Sequence, residues 1–255
     1  MSWPPLARAL LVGVAAGFLS GLFGVGGGIL LVPALVLLLH LPQRMASGTS
    51  LAAVLPISVA SLVSYTISDS VDWWVALFLA IGAVSGALVG THLLQVLPIK
   101  VVGVGFVALL VLTAIRLFIP LEADGRAQLT ALTAVLLVLV GAAIGILAGL
   151  FGVGGGVVLV PALVVLWSIS PVIAKGTSLA VVVPSAIVGT LRNRANRNAD
   201  LRLAAIVGVA GIVSAVVGAE VAHAIDDRLS NVLFAMLLVA VSLKLIRDLF
   251  VAQSV

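Results

Sequence analysis

One stretch of this chain is written twice. Residues 21–35 read GLFGVGGGILLVPAL and residues 149–163 read GLFGVGGGVVLVPAL. A second pair, ASGTSLA at 46–52 and AKGTSLA at 174–180, keeps the same offset of 128 residues. Pro56 with Pro184, Asp72 with Asp200 and Gly90 with Gly218 hold that register too. Separate motifs at one constant offset mark a duplication. The chain reads as two copies of one unit, 1–125 and 126–255, joined in one integral membrane domain for the reason given next.

Both motifs are set in apolar sequence. Hydrophobic residues make up 63% of the chain and charged residues 9%, against roughly 45–50% and about 25% in soluble domains. Too few polar side chains exist to coat such a chain in water, so its solvent is the bilayer. The net charge of +4 is a modest excess. In membrane proteins Lys and Arg collect in cytoplasmic loops, so nucleic acid is not expected as a partner. No cysteine is present, which removes disulfides, thiol catalysis and Cys-based metal sites. His40, His92 and His223 lie far apart without metal-ligand spacing. No cofactor, metal or catalytic residue is expected.

Candidate helical segments are 6–22, 29–41, 46–66, 73–93 and 99–119 in the first copy. Those of the second copy are 129–149, 157–169, 174–191, 201–222 and 229–250. The expected fold is an all-α polytopic membrane protein. The second segment of each copy is too short to span comfortably and reads as half of a glycine-broken helix near the midplane. Arg8 and the apolar run after it could pass for a signal peptide. The matching run 129–148 sits mid-chain, so the first segment reads as a structural helix. The loop 192–202, with Arg192, Arg194, Arg197 and Arg202, is expected in the cytoplasm. Its mate at 66–73 has Asp69 and Asp72 and no basic residue, whereas the next loop is basic at Lys100 and its mate carries Glu220, Asp226 and Asp227 with Arg228. Opposite charge in equivalent loops is the pattern of inverted repeats with five segments each and both termini inside. Arg8, Lys244 and Arg247 agree with that count; Lys175 falls on the outer side and does not.

Chemistry concentrates in the glycine runs. Gly24, Gly26, Gly27 and Gly28, and their copies Gly152, Gly154, Gly155 and Gly156, should unwind the helix. Irregular backbone at membrane depth is tolerated where it is buried in protein or lines a wet cavity. The next helix then starts with free N–H groups, a setting that favours an anion. Tight helix packing is the competing explanation for glycine here. A dinucleotide fingerprint fails because Ile29 stands where glycine is needed, and Lys175-Gly176-Thr177-Ser178 has the wrong order for a Walker loop. Gly48, Thr49 and Ser50, with Gly176, Thr177 and Ser178, precede apolar runs and read as N-caps or as hydroxyls facing the glycine site. Pro56 and Pro184 should kink their helices. Lys175 replaces Ser47 of the first copy and reads as a snorkelling residue, or as a cation attracting anions. No Asp or Glu lies mid-span, so a cation pump is disfavoured. Glu220 and its mate His92, near span ends, are the nearest proton carriers and read as interfacial.

The paired GLFGVGGG and GTSLA motifs resemble the TauE/SafE family of sulfite and organosulfonate exporters, and the resemblance covers both halves. It implies a bacterial inner-membrane transporter that moves a small sulfur oxyanion, sulfite or sulfoacetate, out of the cell. Alternating access would then occur around a midplane site. By that resemblance Gly24 to Gly28, Gly48 to Ser50, Gly152 to Gly156 and Gly176 to Ser178 are the matching positions. Partners expected are the small anion and the lipid bilayer, with a homodimer left open. An uncoupled anion channel and an intramembrane enzyme are the alternatives.

Overall fold

Helix-forming apolar runs interrupted by glycine produce ten helices in the computed structural model, which describes residues 5–117, 125 and 129–251. The first half contains α1 (Pro5–Phe23), α2 (Gly28–Leu37), α3 (Gln43–Ile67), α4 (Trp73–Val96) and α5 (Ile99–Leu117). The second contains α6 (Ala131–Phe151), α7 (Gly156–Trp167), α8 (Pro171–Ala195), α9 (Leu201–Ala224) and α10 (Asp227–Val251). Each expected segment is present. Among the described residues six helices, α1, α3, α4, α6, α8 and α9, are long and apolar enough to cross a membrane. With 10 and 12 residues, α2 and α7 reach only about 15 and 18 Å at ~1.5 Å per residue. The hydrocarbon core is about 30 Å thick, so neither can span it alone. The side chains of Lys100 and Lys244, used above for orientation, lie outside the described residues.

Glycines at spacing four decide which helices touch. A Cβ on Gly13, Gly17 or Gly21 of α1 would sit 2.2, 2.1 and 2.0 Å from the carbonyl oxygens of Val207, Gly211 and Ala215 on α9. Both series ascend together, so α1 and α9 run parallel with their backbones in contact. Gly82, Gly86 and Gly90 of α4 meet the carbonyls of Val138, Ala142 and Ile146 on α6 in the same way. Lipid tails are as apolar as leucine, so close packing of small residues, rather than apolar burial, drives such pairing. The competing explanation of glycine as a packing residue thus accounts for the helical stripes, and glycines of the two runs pack closely as well.

The third helices of the two halves cross antiparallel. Gly48 lies against Asn193, Leu51 against Gly189, and Tyr65 against Gly176, so α3 ascends as α8 descends. These two helices are repeat mates, and some contacts recur with the partners exchanged, as Thr177 with Asp72 and Thr49 with Asp200. Large apolar side chains face outward, including Ile67, Leu132 and Val213, the last 74% exposed. That surface suits hydrocarbon. At the centre, Phe23, Val25, Phe151, Val153 and Tyr65 share one buried cluster.

Candidate functional site

The two glycine runs are loops rather than helix. Gly24, Gly26 and Gly27 have φ of 68, 73 and 75°, and Gly152, Gly154 and Gly155 have 75, 78 and 81°. Side chains with a Cβ rarely adopt this region, so glycine is required here for conformation as well as space. Gly27 and Gly155 are the N-cap residues of α2 and α7 and provide no side-chain cap. Their carbonyls accept from Leu30 and Leu31, and from Val158 and Leu159. Among the described residues the N–H groups of Gly26, Gly27 and Ile29, and of Gly154, Gly155 and Val157, have no acceptor. A buried polar group left unsatisfied costs about 1–3 kcal/mol. Here several such donors converge at two helix N-termini.

The loops touch each other. A Cβ on Gly28 would lie 2.5 Å from the Val153 carbonyl oxygen, and one on Gly156 would lie 2.6 Å from the Val25 Cα. Two valines close the seam from the crossing helices. Val54 of α3 and Val182 of α8 both pack against Gly26 and against Gly154.

Each crossing helix presents a strip to the loop of the opposite half. Gly152 packs on Ser47, whose Cα lies 2.4 Å from where a Cβ would stand, and Gly154 packs on Val54. Ser50 falls between them on the same face of α3, since residues three and four apart are neighbours on a helix. Gly24 packs on Lys175 and Gly26 on Val182, with Ser178 between on α8. Ser47, Ser50 and Ser178 are fully buried, and among the described residues none of their hydroxyls has a partner. Two candidate half-sites result: the first loop with Lys175 and Ser178, and the second loop with Ser47 and Ser50.

Two expectations need correction. Thr49, Ser50, Thr177 and Ser178 do not cap their own helices, because α3 begins at Gln43 and α8 at Pro171, leaving the GTS motifs in the second turn. Each of the three residues has its own task. Gly48 and Gly176 admit the carbonyls of Asn198 and Ser70 at 2.0 and 2.1 Å from a would-be Cβ. Thr49 Oγ1 accepts from the Asp200 N–H, and Thr177 Oγ1 from the Asp72 N–H, both at 2.9 Å. Asp72 and Asp200 are themselves N-caps, accepting from Val75 and Leu203. The serines share the helix faces that carry Ser47 and Val54 on α3 and Lys175 and Val182 on α8, which pack on the glycine loops.

Lys175 does not snorkel to headgroups. It is 2% exposed, and its Nζ donates to Ser230 Oγ of α10 at 2.9 Å. Packing of its stem against Gly24 holds it inside the protein, where charge is costly unless hydrogen-bonded. Sequence reasoning passed over Ser47, Ser230 and Ser20, a buried hydroxyl one turn before the first loop. It also passed over Tyr65, whose hydroxyl donates to the Gly21 carbonyl at 2.9 Å. Only Ser47 left a trace, as the residue aligned with Lys175.

Helices of this number and apolarity, with broken helices meeting at the centre, define an all-α polytopic membrane protein. The chain belongs to the family described as Sulfite exporter TauE/SafE, which it matches over residues 1–117 and 136–253. A probable membrane transporter protein of Bacillus subtilis, YunE, is 26% identical over 71% of this chain and 76% of its own length. A second from that organism, YdhB, is 29% identical over 83% of this chain and 88% of its own. One from Methanocaldococcus jannaschii is 30% identical over 62% of this chain. No solved structure matches the chain. The protein is a multi-pass membrane transporter of this family.

Proposed function

We propose that this transporter exports a small sulfur oxyanion, sulfite or an organosulfonate such as sulfoacetate, by alternating access across a bacterial inner membrane. The observation that carries the reading is the apposition of unpaired loop N–H groups with buried hydroxyls. A sulfonate, like the sulfite dianion, presents three oxygens that only accept. The half-sites offer complementary donors: glycine N–H groups at helix N-termini, the Ser50 and Ser178 hydroxyls, and the Lys175 ammonium. Val54 and Val182 separate the half-sites and would act as the barrier that moves between outward-open and inward-open states.

An inverted arrangement of the halves, with both termini cytoplasmic, agrees with the antiparallel crossing of α3 and α8 and with the arginines of loop 192–202. In such transporters discontinuous helices aim their N-termini at an anionic substrate near the midplane. Counterflow in proteoliposomes tests the proposal. Preloaded unlabelled sulfite or sulfoacetate should drive transient accumulation of labelled substrate from outside, and the Ser50→Ala, Ser178→Ala double variant should lose most of it. Flux without saturable exchange would instead identify an uncoupled channel.

A further inference from the structure

His223, near the end of α9, sits in a hydrogen-bonded ring that the half-sites do not use. Its Nδ1 is 2.8 Å from the Ala219 carbonyl oxygen, and its Nε2 is 3.3 Å from Ser70 Oγ. Ser70 Oγ also lies 3.1 Å from the Ser68 carbonyl oxygen. A carbonyl only accepts, and a hydroxyl has one proton to donate. The Ser70 proton goes to Ser68, which makes Ser70 Oγ an acceptor toward the ring. Ala219 requires a proton on Nδ1. Both ring nitrogens then donate, and the ring that satisfies every contact is the imidazolium. A neutral ring keeps one proton. Nε2 must then accept, and the Ser70 hydroxyl has to leave Ser68 to reach it.

The surroundings suit a cation that comes and goes. His223 is half-buried, and its ring stands 4.8 Å from the Tyr65 ring, within cation–π range. Glu220, one turn earlier on α9, is exposed and accepts from Ser64 Oγ at 2.5 Å. The turn after α3 contributes Asp69, the turn after α9 contributes Asp226 and Arg228, and α8 contributes Lys175 beside Gly176. From α1 the only described titratable side chain is Arg8, at its opposite end.

Rearrangement at Ser70 reaches the first half-site by two short routes. The Ser70 carbonyl packs on Gly176, and Asp72, two residues on, donates to Thr177 Oγ1, in the motif flanked by Lys175 and Ser178. Tyr65 ties the same helix end to the Gly21 carbonyl, three residues before Gly24. The opposite end of the molecule lacks the device. At the mate positions, Asn198 replaces Ser70, Asn193 replaces Tyr65, His92 replaces Glu220 and Gln95 replaces His223.

We infer that His223 is a proton-binding site that couples proton entry to anion export. Its protonation switches the hydrogen bonds of the 68–72 turn and so biases the half-site containing Lys175. The direction of coupling rests on the transport reading above, whereas the proton site rests on the ring geometry.

Histidine-labelled protein followed by nitrogen NMR in detergent tests the site without any substrate, with His223→Gln identifying the signal. As pH rises from about 5 to 8, His223 should pass from two protonated nitrogens to one. Amides of residues 68–72 should lose exchange protection over the same interval. A ring that stays neutral throughout, or a turn whose protection does not follow it, overturns the inference. In proteoliposomes an alkanesulfonate, ionised throughout this range, serves as the transported probe. Counterflow at equal pH should survive in His223→Gln. An acid-outside gradient should accelerate flux several-fold and acidify an interior dye in the wild type only. Equal gradient responses in both proteins overturn the coupling. Should His223→Gln fail to fold, Ser70→Ala decides, since it keeps the imidazole and removes its acceptor. It should displace the His223 transition and blunt the gradient response, and an unchanged transition overturns the inference. Absent alkanesulfonate counterflow in the wild type would count against the proposed substrate class and leave the NMR result standing.

Discussion

The backbone N–H of Asp72 donates to Thr177 Oγ1 at 2.9 Å, joining the start of α4 to the second turn of α8 in the other half of the chain. Thr49 and Asp200 make the same bond with the halves exchanged. Thr177→Val keeps the shape and removes the acceptor, leaving a buried N–H unsatisfied. That should destabilise the fold by about 1–3 kcal/mol, while Thr177→Ser should retain most of the stability. Thermal unfolding of the three proteins in one detergent is the check, and equal melting temperatures for Val and wild type would refute the role assigned to the hydroxyl.

Lys175 is the one basic side chain in the two proposed half-sites. A hydrogen bond to a charged group contributes about 1.5–3 kcal/mol, so Lys175→Met should weaken anion binding by roughly ten- to a hundredfold. Titration of the purified variant with sulfite or sulfoacetate, read by the ligand-induced rise in melting temperature, measures this. Undiminished affinity would remove Lys175 from the site.

Where α4 and α6 touch, no side chain separates the backbones. A Cβ on Gly86 would lie 2.1 Å from the Ala142 carbonyl oxygen. Gly86→Val must therefore push the helices apart, with a cost at or above the ~1–3 kcal/mol typical of overpacking. Reduced yield of monodisperse protein and a lower melting temperature are expected. Gly125, with nothing within 4 Å of a would-be Cβ, should accept alanine without such an effect.

Tyr65 is fully buried, and its hydroxyl donates to the Gly21 carbonyl at 2.9 Å. Tyr65→Phe leaves the ring packing intact and loses the bond to Gly21, a cost of about 1 kcal/mol. Because Gly21 leads into the first glycine loop, hydrogen exchange of Gly24 to Gly28 should quicken in this variant while the loop at 152–156 is unaffected. Equal change in both loops would show that Tyr65 acts globally.

The ten helices among the described residues and the two interruptions were legible in the chain because both are local. Long apolar runs form helix in a bilayer, where every backbone group must be satisfied within its own segment, and glycine clusters break it. The constant offset between motifs showed the duplication without any structure. The facing of side chains was not legible. A helix in water announces its buried face by hydrophobic periodicity, but here lipid and protein interior are both apolar, so that periodicity is weak. Nothing local distinguishes Thr177, which accepts from the Asp72 N–H at the start of α4, from Ser178, one residue on, whose buried hydroxyl has no partner among the described residues. Nor does local sequence tell a snorkelling lysine from one held inside by Gly24 and Ser230. By itself the sequence determined how many helices form, where they break and that the pattern is repeated. Only the tertiary structure decided which face of each crossing helix meets which loop, because that depends on backbones brought together across the two halves by stripes of glycine.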